Sequence, residues 1–301
     1  KMYGELLKYS ERRIYSLTAA LLPIHRAAVI VQIKKDIERE KYPVLIATQT
    51  VEAGVDLDFD ITVRDIAPLD SIIQAAGRTN RNWLSAMEGT VHLVCVKSHG
   101  RWHAHSVYGR DSGGQSAEVA VTFDMFNKHK SKELSEQEYF DLVTHYFNWL
   151  QKQAENDSDA TSLNYALKKM SFDLQTKTIK QMLRGEDEKE RVFIVHDRIS
   201  GDLLERVRTT WKSVQGERYK INKWELALLD VRGSLAENTI GLYKWQIRAL
   251  PLNYIDPLRE LFSYIDISST DGIYQFDDQR VTGIGLSYEA CKSKYDHTCI
   301  V

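Results

Sequence analysis

The sequence predicts an α/β protein with a mostly parallel sheet, and three observations carry that reading. Helical and strand patterns alternate through residues 1–100, the rhythm of a parallel sheet. A short continuous apolar run, Val44-Leu45-Ile46-Ala47, follows Pro43 and has the character of a strand covered on both faces. From Val192 the pattern turns mixed, with candidate strands at Val192–His196, Lys223–Leu229 and Ile240–Ile247, which read as a small α+β domain.

The elements follow in order. Pro23 is suited to the first turn of a helix, and Ile30, Ile33 and Ile37 recur at helical spacing up to Glu40. Ile61–Ile66 and Thr90–Val96 read as two further strands. Between them Asp70 or Ser71 can cap a helix running through Ile72, Ile73 and Ala76, and Ser71 and Gln74 have capping-box spacing. Residues 98–118, with Gly100, Gly109, Gly113 and Gly114, read as a loop. Ser135 and Glu138 then open a helix whose Phe140, Val143, Phe147 and Leu150 share one face. Tyr139, Leu142, Tyr146 and Trp149 widen it, so burial on more than one side is expected. Polar residues 151–162 read as a linker, 162–183 as a second helical stretch and 184–191 as a charged break. The resulting division is 1–97, 98–189 and 190–301, without internal repeats.

Composition narrows the function classes. The chain has 301 residues, room for one large domain or two modest ones, and is 43% hydrophobic and 27% charged. Lys and Arg number 40 against 42 Asp and Glu, which excludes a polycationic, tail-driven binder but not a local basic groove. Cys95, Cys291 and Cys299 form no C-x-x-C and read as free thiols of a reducing compartment, a Cys291–Cys299 bridge being the lesser alternative. No apolar run approaches the roughly 20 residues a membrane span needs, and the first residues lack a signal-peptide pattern. A cytoplasmic location and no membrane partner are expected. Lys1-Met2 falls inside what reads as a structural element, so a longer polypeptide is also expected.

Two stretches carry candidate chemistry. In Ala47-Thr48-Gln49-Thr50-Val51-Glu52-Ala53-Gly54-Val55-Asp56 a buried strand ends in polar residues, a glycine and an acid. Ligands of open α/β sheets bind beyond the carboxyl ends of strands, so Thr48 and Gln49 are placed to meet one. Gly54 permits close backbone approach, and Asp56 can accept from a ribose hydroxyl. In the second stretch, Gln74-Ala75-Ala76-Gly77-Arg78-Thr79-Asn80-Arg81, the residues Gln74, Arg78 and Arg81 stand at i, i+4 and i+7 and would share one helix face. Two guanidinium forks and an amide suit a phosphate chain. Taken alone, an arginine pair is more often a solvated face or a surface ion pair. The joint appearance of the two stretches, separated by a strand and a helix, is the more specific signal.

ATQTVEAGVDLDFD followed by APLDSIIQAAGRTNRN resembles motifs V and VI of superfamily 2 helicases, in the wording of the CRISPR-associated helicase–nuclease of type I systems. Ser16–Ala20 through Pro23-Ile24-His25-Arg26 resembles the segment upstream of motif V. The likeness is specific over about 16–97. Beyond that, Tyr139-Phe140 to Tyr146-Phe147, Gly283-Ile284-Gly285-Leu286 and Tyr295-Asp296 are only reminiscent of the family's linker and C-terminal domain. The resemblance implies that residues 1–97 are the later part of a second RecA-like motor domain, followed by linker helices and an accessory domain. It implies Arg81 as the arginine finger with Arg78 alongside, Gln74 as γ-phosphate sensor, and Gly54 and Asp56 lining the nucleotide cleft. Thr48 and Thr18 would contact the DNA backbone. It further implies ATP and Mg²⁺ as cofactors and single-stranded DNA as track. A guide-RNA surveillance complex would recruit the protein, and a separate nuclease domain would hold its own metal ions. Ala75, where many relatives carry arginine, and Asn82-Trp83, in place of asparagine–glycine, depart from the pattern.

No G-x-x-x-x-G-K-[ST] occurs, so one wall of an ATP cleft is expected here and not the phosphate-cradling one. Asp187-Glu188 sits in a charged run and is a poor magnesium-binding pair. The nuclease's paired His-Asp metal motif is missing, and His99, His103 and His105 form the only histidine cluster. Trp211, Lys212, Arg218, Tyr219, Lys220, Lys223 and Trp224 are candidates for stacking on or pairing with a strand, half of those aromatics being more often core. Two other readings stay open: another superfamily 2 motor acting on RNA or duplex DNA, and a non-catalytic module that binds DNA or docks a partner.

Overall fold

The computed structural model describes residues 2–9, 11–48, 55–81, 89–98, 100–109, 116–129, 133–155, 189–247, 250–254, 262–267 and 272–287. In chain order it contains α1 (Met2–Tyr9), β1 (Ile14–Leu17), α2 (Pro23–Glu38), β2 (Val44–Ala47), β3 (Ile61–Asp65), α3 (Leu69–Ala76) and β4 (Thr90–Val94). Then come β5 (Lys97–Ser98), β6 (Arg101–Trp102), α4 (His103–Tyr108), α5 (Ala117–Lys128) and α6 (Glu136–Glu155). The C-terminal strands are β7 (Glu190–Val195), β8 (Thr239–Leu242), β9 (Asn253–Tyr254), β10 (Ser263–Asp266), β11 (Tyr274–Asp277) and β12 (Thr282–Leu286). Mixed α/β architecture with parallel pairs agrees with the predicted class. The chain divides into two compact units, residues 1–51 with 187–301, and residues 52–186.

In the first unit β1 and β2 pair in parallel, Ile14 opposite Val44 and Leu17 opposite Ala47. Helix α2 joins them, with Pro23 in its first turn as expected. Its inner stripe is His25, Val29, Ile33 and Asp36, not Ile30, Ile33 and Ile37. A carboxylate can occupy that stripe because Tyr15 donates to Asp36 Oδ2 at 2.6 Å, Arg13 at 3.3 Å and Gln32 to Oδ1 at 3.1 Å. A buried charge is tolerable only when so paired.

The same unit holds a four-stranded sheet in the order β8-β7-β10-β9, with β7 and β10 parallel and both flanking pairs antiparallel. Its strands alternate between two cores, as period-two geometry requires. Phe193, Val195 and Tyr264 pack against Leu204, Val207 and Trp211 of the helix Arg198–Val214, and against Trp224 and Leu228. Val192, Ile194, Ile240, Leu242 and Ile265 form the other core, with Leu22, Ile273, Tyr274 and Leu286. The strand expected at Lys223–Leu229 is instead a helix, Lys220–Ala227. Trp224 and Leu228, four residues apart, turn into one core, and helical spacing outweighs the apolar run that suggested a strand. Of Ile240–Ile247, only Thr239–Leu242 is strand; Lys244–Ile247 is a helical turn.

His25 lies in the second core, 5% exposed. Its ring stacks on Phe276 at 3.9 Å and meets the edge of His196 at 4.7 Å. Burial, and then the neighbouring His196, push its imidazole down to about 4 against the pull of the Asp278 and Asp197 carboxylates. In the unfolded chain a histidine titrates near about 6.5. Between those values the unfolded state holds the proton and the folded state does not. The stabilisation is therefore complete above about pH 6.5 and falls as pH drops towards 4. Urea titrations are expected to give an unfolding free energy about 2 kcal/mol lower at pH 5 than at pH 7 from this group. His25→Asn should remove that part of the slope.

In the second unit β3 and β4 pair in parallel, Ile61 opposite Thr90 and Asp65 opposite Val94, with α3 between them in sequence. Ile66, Leu69 and Ile72 pack with Ala104, Val119 and Tyr146, so α4, α5 and α6 rest on α3. Neither Asp70 nor Ser71 caps α3, which Pro68 precedes as N-cap residue. Ser71 is buried and Asp70 accepts from the Tyr146 hydroxyl at 3.1 Å. The expected loop 98–118 contains α4, and α5 follows from a Ser116 cap whose hydroxyl accepts from Val119 at 3.2 Å. The Ser135–Glu138 box is present, but α6 buries one side: Leu142 and Tyr146 face inward, while Phe140 and Phe147 are exposed. Helix α6 runs to Glu155, past the expected linker start, and the 162–183 stretch and Asp187-Glu188 lie outside the described residues.

Candidate nucleotide and strand-contact sites

The second unit brings the residues that close the first stretch, from Val55 on, against the end of the second. Val55 and Leu57 are buried and turn Asp56 between them outward. Phe59 and Thr79 form a single parallel bridge: the Phe59 amide donates to Arg78 O at 3.2 Å and the Asn80 amide to Phe59 O at 2.8 Å. The Thr62 and Thr79 hydroxyls lie 2.6 Å apart. The Arg81 amide donates to Asp58 Oδ1 at 2.8 Å, and its guanidinium Nη1 sits 3.3 Å from Asp56 Oδ1. Both side chains remain open to solvent, 43% and 68% exposed, which leaves the guanidinium accessible to a polyanion.

The expected shared helix face of Gln74, Arg78 and Arg81 is not what aligns these residues. Helix α3 ends at Ala76, and Gly77 caps it by donating to Ile73 O at 2.9 Å. Arg78 and Thr79 continue in tight turns to Ala75 O and Ala76 O. Asn80 then adopts φ 46°, a left-handed conformation asparagine tolerates better than most residues. The bridge to Phe59 pulls the chain off the helix axis, so backbone pairing aims Arg81. Gln74 stands exposed on the last turn of α3, Arg78 is half-buried, and Gly54 lies outside the described residues. Gly89, which no motif marked, matters here: a Cβ on it would lie 2.8 Å from Asn80 Cβ and 3.0 Å from Thr79 Cγ2.

In the first unit Thr18 and Thr48 follow immediately after the paired residues Leu17 and Ala47. They therefore stand at neighbouring carboxyl ends of two parallel strands, and the Thr48 amide donates to Leu17 O at 3.3 Å. Thr18 is half-buried, and Thr48 is exposed.

Of the proposed stacking residues, Trp211 and Trp224 are core, 2% and 6% exposed, packed edge to face at 6.2 Å. They are unavailable to a strand. Tyr219 is exposed at φ 60°, with the Arg218 guanidinium 5.2 Å from its ring centre. It borders an open cavity of about 370 Å³ with Lys220 and Asn222. Lys223 pairs with Glu217 at 2.7 Å. In the histidine cluster, His105 accepts from the Ser116 amide at 3.1 Å and stacks on Trp102, and His103 lies 3.9 Å from Asp65. His99 lies outside the described residues. Cys95 is a free, exposed thiol. Among the described residues no helix is long and apolar enough to cross a membrane.

Residues 1–83 match the family described as the C-terminal part of the CRISPR-associated nuclease/helicase Cas3. The chain is similar to Cas3 of Haloferax volcanii, 45% identical over 71 residues, which is 23% of this chain and 8% of that protein. It is 39% identical over 69 residues to Cas3 of Methanothermobacter thermautotrophicus, again 23% of this chain and 8% of the relative. Its fold is similar to T. fusca Cas3 crystallised with AMPPNP, at a TM-score of 0.53 and 14% identity, over 88% of this chain and 34% of that one. The ADP form gives a TM-score of 0.52 at 15% identity, over 88% and 33%. The matched segments are thus a small part of the relatives, and the chain spans about a third of T. fusca Cas3. Family profile, relatives and fold bear out the resemblance first read from the motifs: the chain is similar to the C-terminal part of the Cas3 helicase–nuclease.

Proposed function

We propose that this chain is the C-terminal portion of an ATP-dependent single-stranded DNA translocase that works with a nuclease domain in type I CRISPR interference. The observation that carries the reading is the stitched pair of stretches 55–60 and 78–81, which leaves the Arg81 guanidinium solvent-accessible beside the exposed Asp56 carboxylate. That donor set fits a nucleotide. A guanidinium suits the γ-phosphate oxygens and a carboxylate suits ribose hydroxyls. On this reading Arg81 is the finger, Arg78 supports it, and Gln74, Gly54 and Asp56 line the cleft. ATP supplies the phosphoryl group whose developing charge Arg81 would neutralise. Mg²⁺ and the phosphate cradle would come from a preceding RecA-like domain, so the chain alone turns over no ATP. The functional division is 1–97 for the motor portion, 98–189 for linker helices and 190–301 for an accessory lid over the strand. The protein acts in the cytoplasm after recruitment by a guide-RNA surveillance complex. Adjacent strand ends bearing Thr18 and Thr48 support contact with a phosphate backbone there.

The test is ATP turnover by this chain mixed with the polypeptide that precedes it, in the presence of single-stranded DNA, duplex DNA or RNA. Stimulation at least about tenfold greater by single-stranded DNA is the expected outcome. Preferential stimulation by RNA or duplex DNA would assign the chain to another superfamily 2 motor. No turnover in any mixture would leave a non-catalytic binding module.

A further inference from the structure

The loop between β1 and α2, which carries Thr18, is gripped from both strands of the C-terminal hairpin β11–β12. The Leu286 amide donates to Ala20 O at 3.0 Å, and the Leu22 amide donates to the Tyr274 hydroxyl at 2.9 Å. Residues 252 positions apart in sequence are thereby joined. Within the loop the Ala20 amide donates to Thr18 Oγ1 at 3.3 Å and the Leu21 amide to Thr18 O at 3.2 Å. The Thr18 oxygen is oriented by a residue whose carbonyl the hairpin holds, and the hydroxyl proton stays available to donate.

Tyr274 is itself fixed. Its hydroxyl lies 2.7 Å from His25 Nδ1, and its ring is 9% exposed. Having accepted from Leu22, the hydroxyl donates to a neutral His25, whose Nε2 then faces Asp278 at 3.8 Å. His25 is held by Phe276 on one face and His196 at its edge, and His196 Nε2 is 2.8 Å from Asn238 Oδ1. The relay runs from the four-stranded sheet, through two histidines and a tyrosine, to the loop bearing a candidate strand contact.

We propose that Tyr274 is a positioning residue for that contact: with the Leu286 amide it fixes the Thr18–Leu22 turn so that the Thr18 hydroxyl meets a phosphodiester oxygen of single-stranded nucleic acid. The proposal rests on the strand-contact reading of Thr18 given above. Its test is the fluorescence anisotropy of a labelled single-stranded oligonucleotide titrated with the full chain as wild type, Thr18→Ala, Tyr274→Phe and the double variant. Unfolding midpoints establish that each variant is folded. Tyr274→Phe keeps the ring and removes one hydroxyl, and it is expected to weaken binding about threefold to tenfold. The double variant should bind no more than about twofold more weakly than Thr18→Ala, because both act through one contact. His25→Asn, which deprives the hydroxyl of its ring partner, serves where Tyr274→Phe does not fold, with the same expected pattern. A Thr18→Ala effect with no Tyr274→Phe effect would overturn the positioning role and leave the strand contact standing. Multiplying losses in the double variant would overturn it as well. No effect of Thr18→Ala would remove the strand contact itself.

Discussion

Arg81→Ala is expected to reduce polynucleotide-stimulated ATP turnover of the assembled motor by at least about a hundredfold while leaving the fold intact. On the proposed reading of Arg81 as the finger the loss follows from the chemistry: an arginine aimed at a transferring phosphoryl group contributes about 10³ to 10⁵ in rate. The retained stability follows from the geometry. The ion pair to Asp56 is exposed on both sides, and such pairs contribute about 0–1 kcal/mol. What orders the turn is backbone: the Phe59–Thr79 bridge and the Arg81 amide on Asp58 both survive loss of the side chain. Arg81→Lys should fail to rescue, because a point charge lacks the planar fork. Steady-state turnover and a thermal unfolding curve for each variant suffice. Unchanged turnover in Arg81→Ala would favour a binding module that retains the motif as structure.

Local pattern made much of residues 1–97 legible. Pro23 marked the start of α2, and the apolar runs at Val44, Ile61 and Thr90 marked strands within two residues of their observed bounds. What stayed illegible depends on contacts distant in sequence. Periodicity put Gln74, Arg78 and Arg81 on one helix face, whereas a bridge to Phe59, twenty residues earlier, diverts the chain after Gly77. Asp36 carried no sequence signal of burial, because Tyr15, Arg13 and Gln32 converge on it only in the fold. The apolar run at Lys223–Leu229 suggested a strand against the helix-forming Lys, Glu, Ala and Leu it contains, and the helix puts Trp224 and Leu228 in one core. Thr48 was marked by its place at a strand end and Thr18 by resemblance alone; parallel pairing of β1 with β2 is what makes them neighbours. Tyr274 carried no sequence signal, because its partners lie at the far end of the chain.

Gly285→Ala should destabilise the first unit by about 3–4 kcal/mol, far more than the same change at Gly272. Both glycines have positive φ, 74° and 82°, so either substitution incurs the left-handed penalty of about 1–2 kcal/mol. They differ in surroundings. A Cβ on Gly272 meets nothing within 4 Å, whereas on Gly285 it would lie 2.2 Å from Ala20 O and 2.6 Å from Leu21 N. That is backbone against backbone, where no rotamer change relieves the overlap, and forced shifts of this kind cost about 1–3 kcal/mol more. The displaced atoms are those of the loop bearing Thr18, so Leu286 would lose its hold on Ala20 as the hairpin moves off. Thermal unfolding should show a midpoint lowered by about 6–16 °C for Gly285→Ala and by a few degrees for Gly272→Ala. Oligonucleotide affinity, measured well below both midpoints, should fall only in the first. Equal midpoint shifts in the two variants would mean that close packing of the hairpin on the loop contributes nothing beyond backbone conformation.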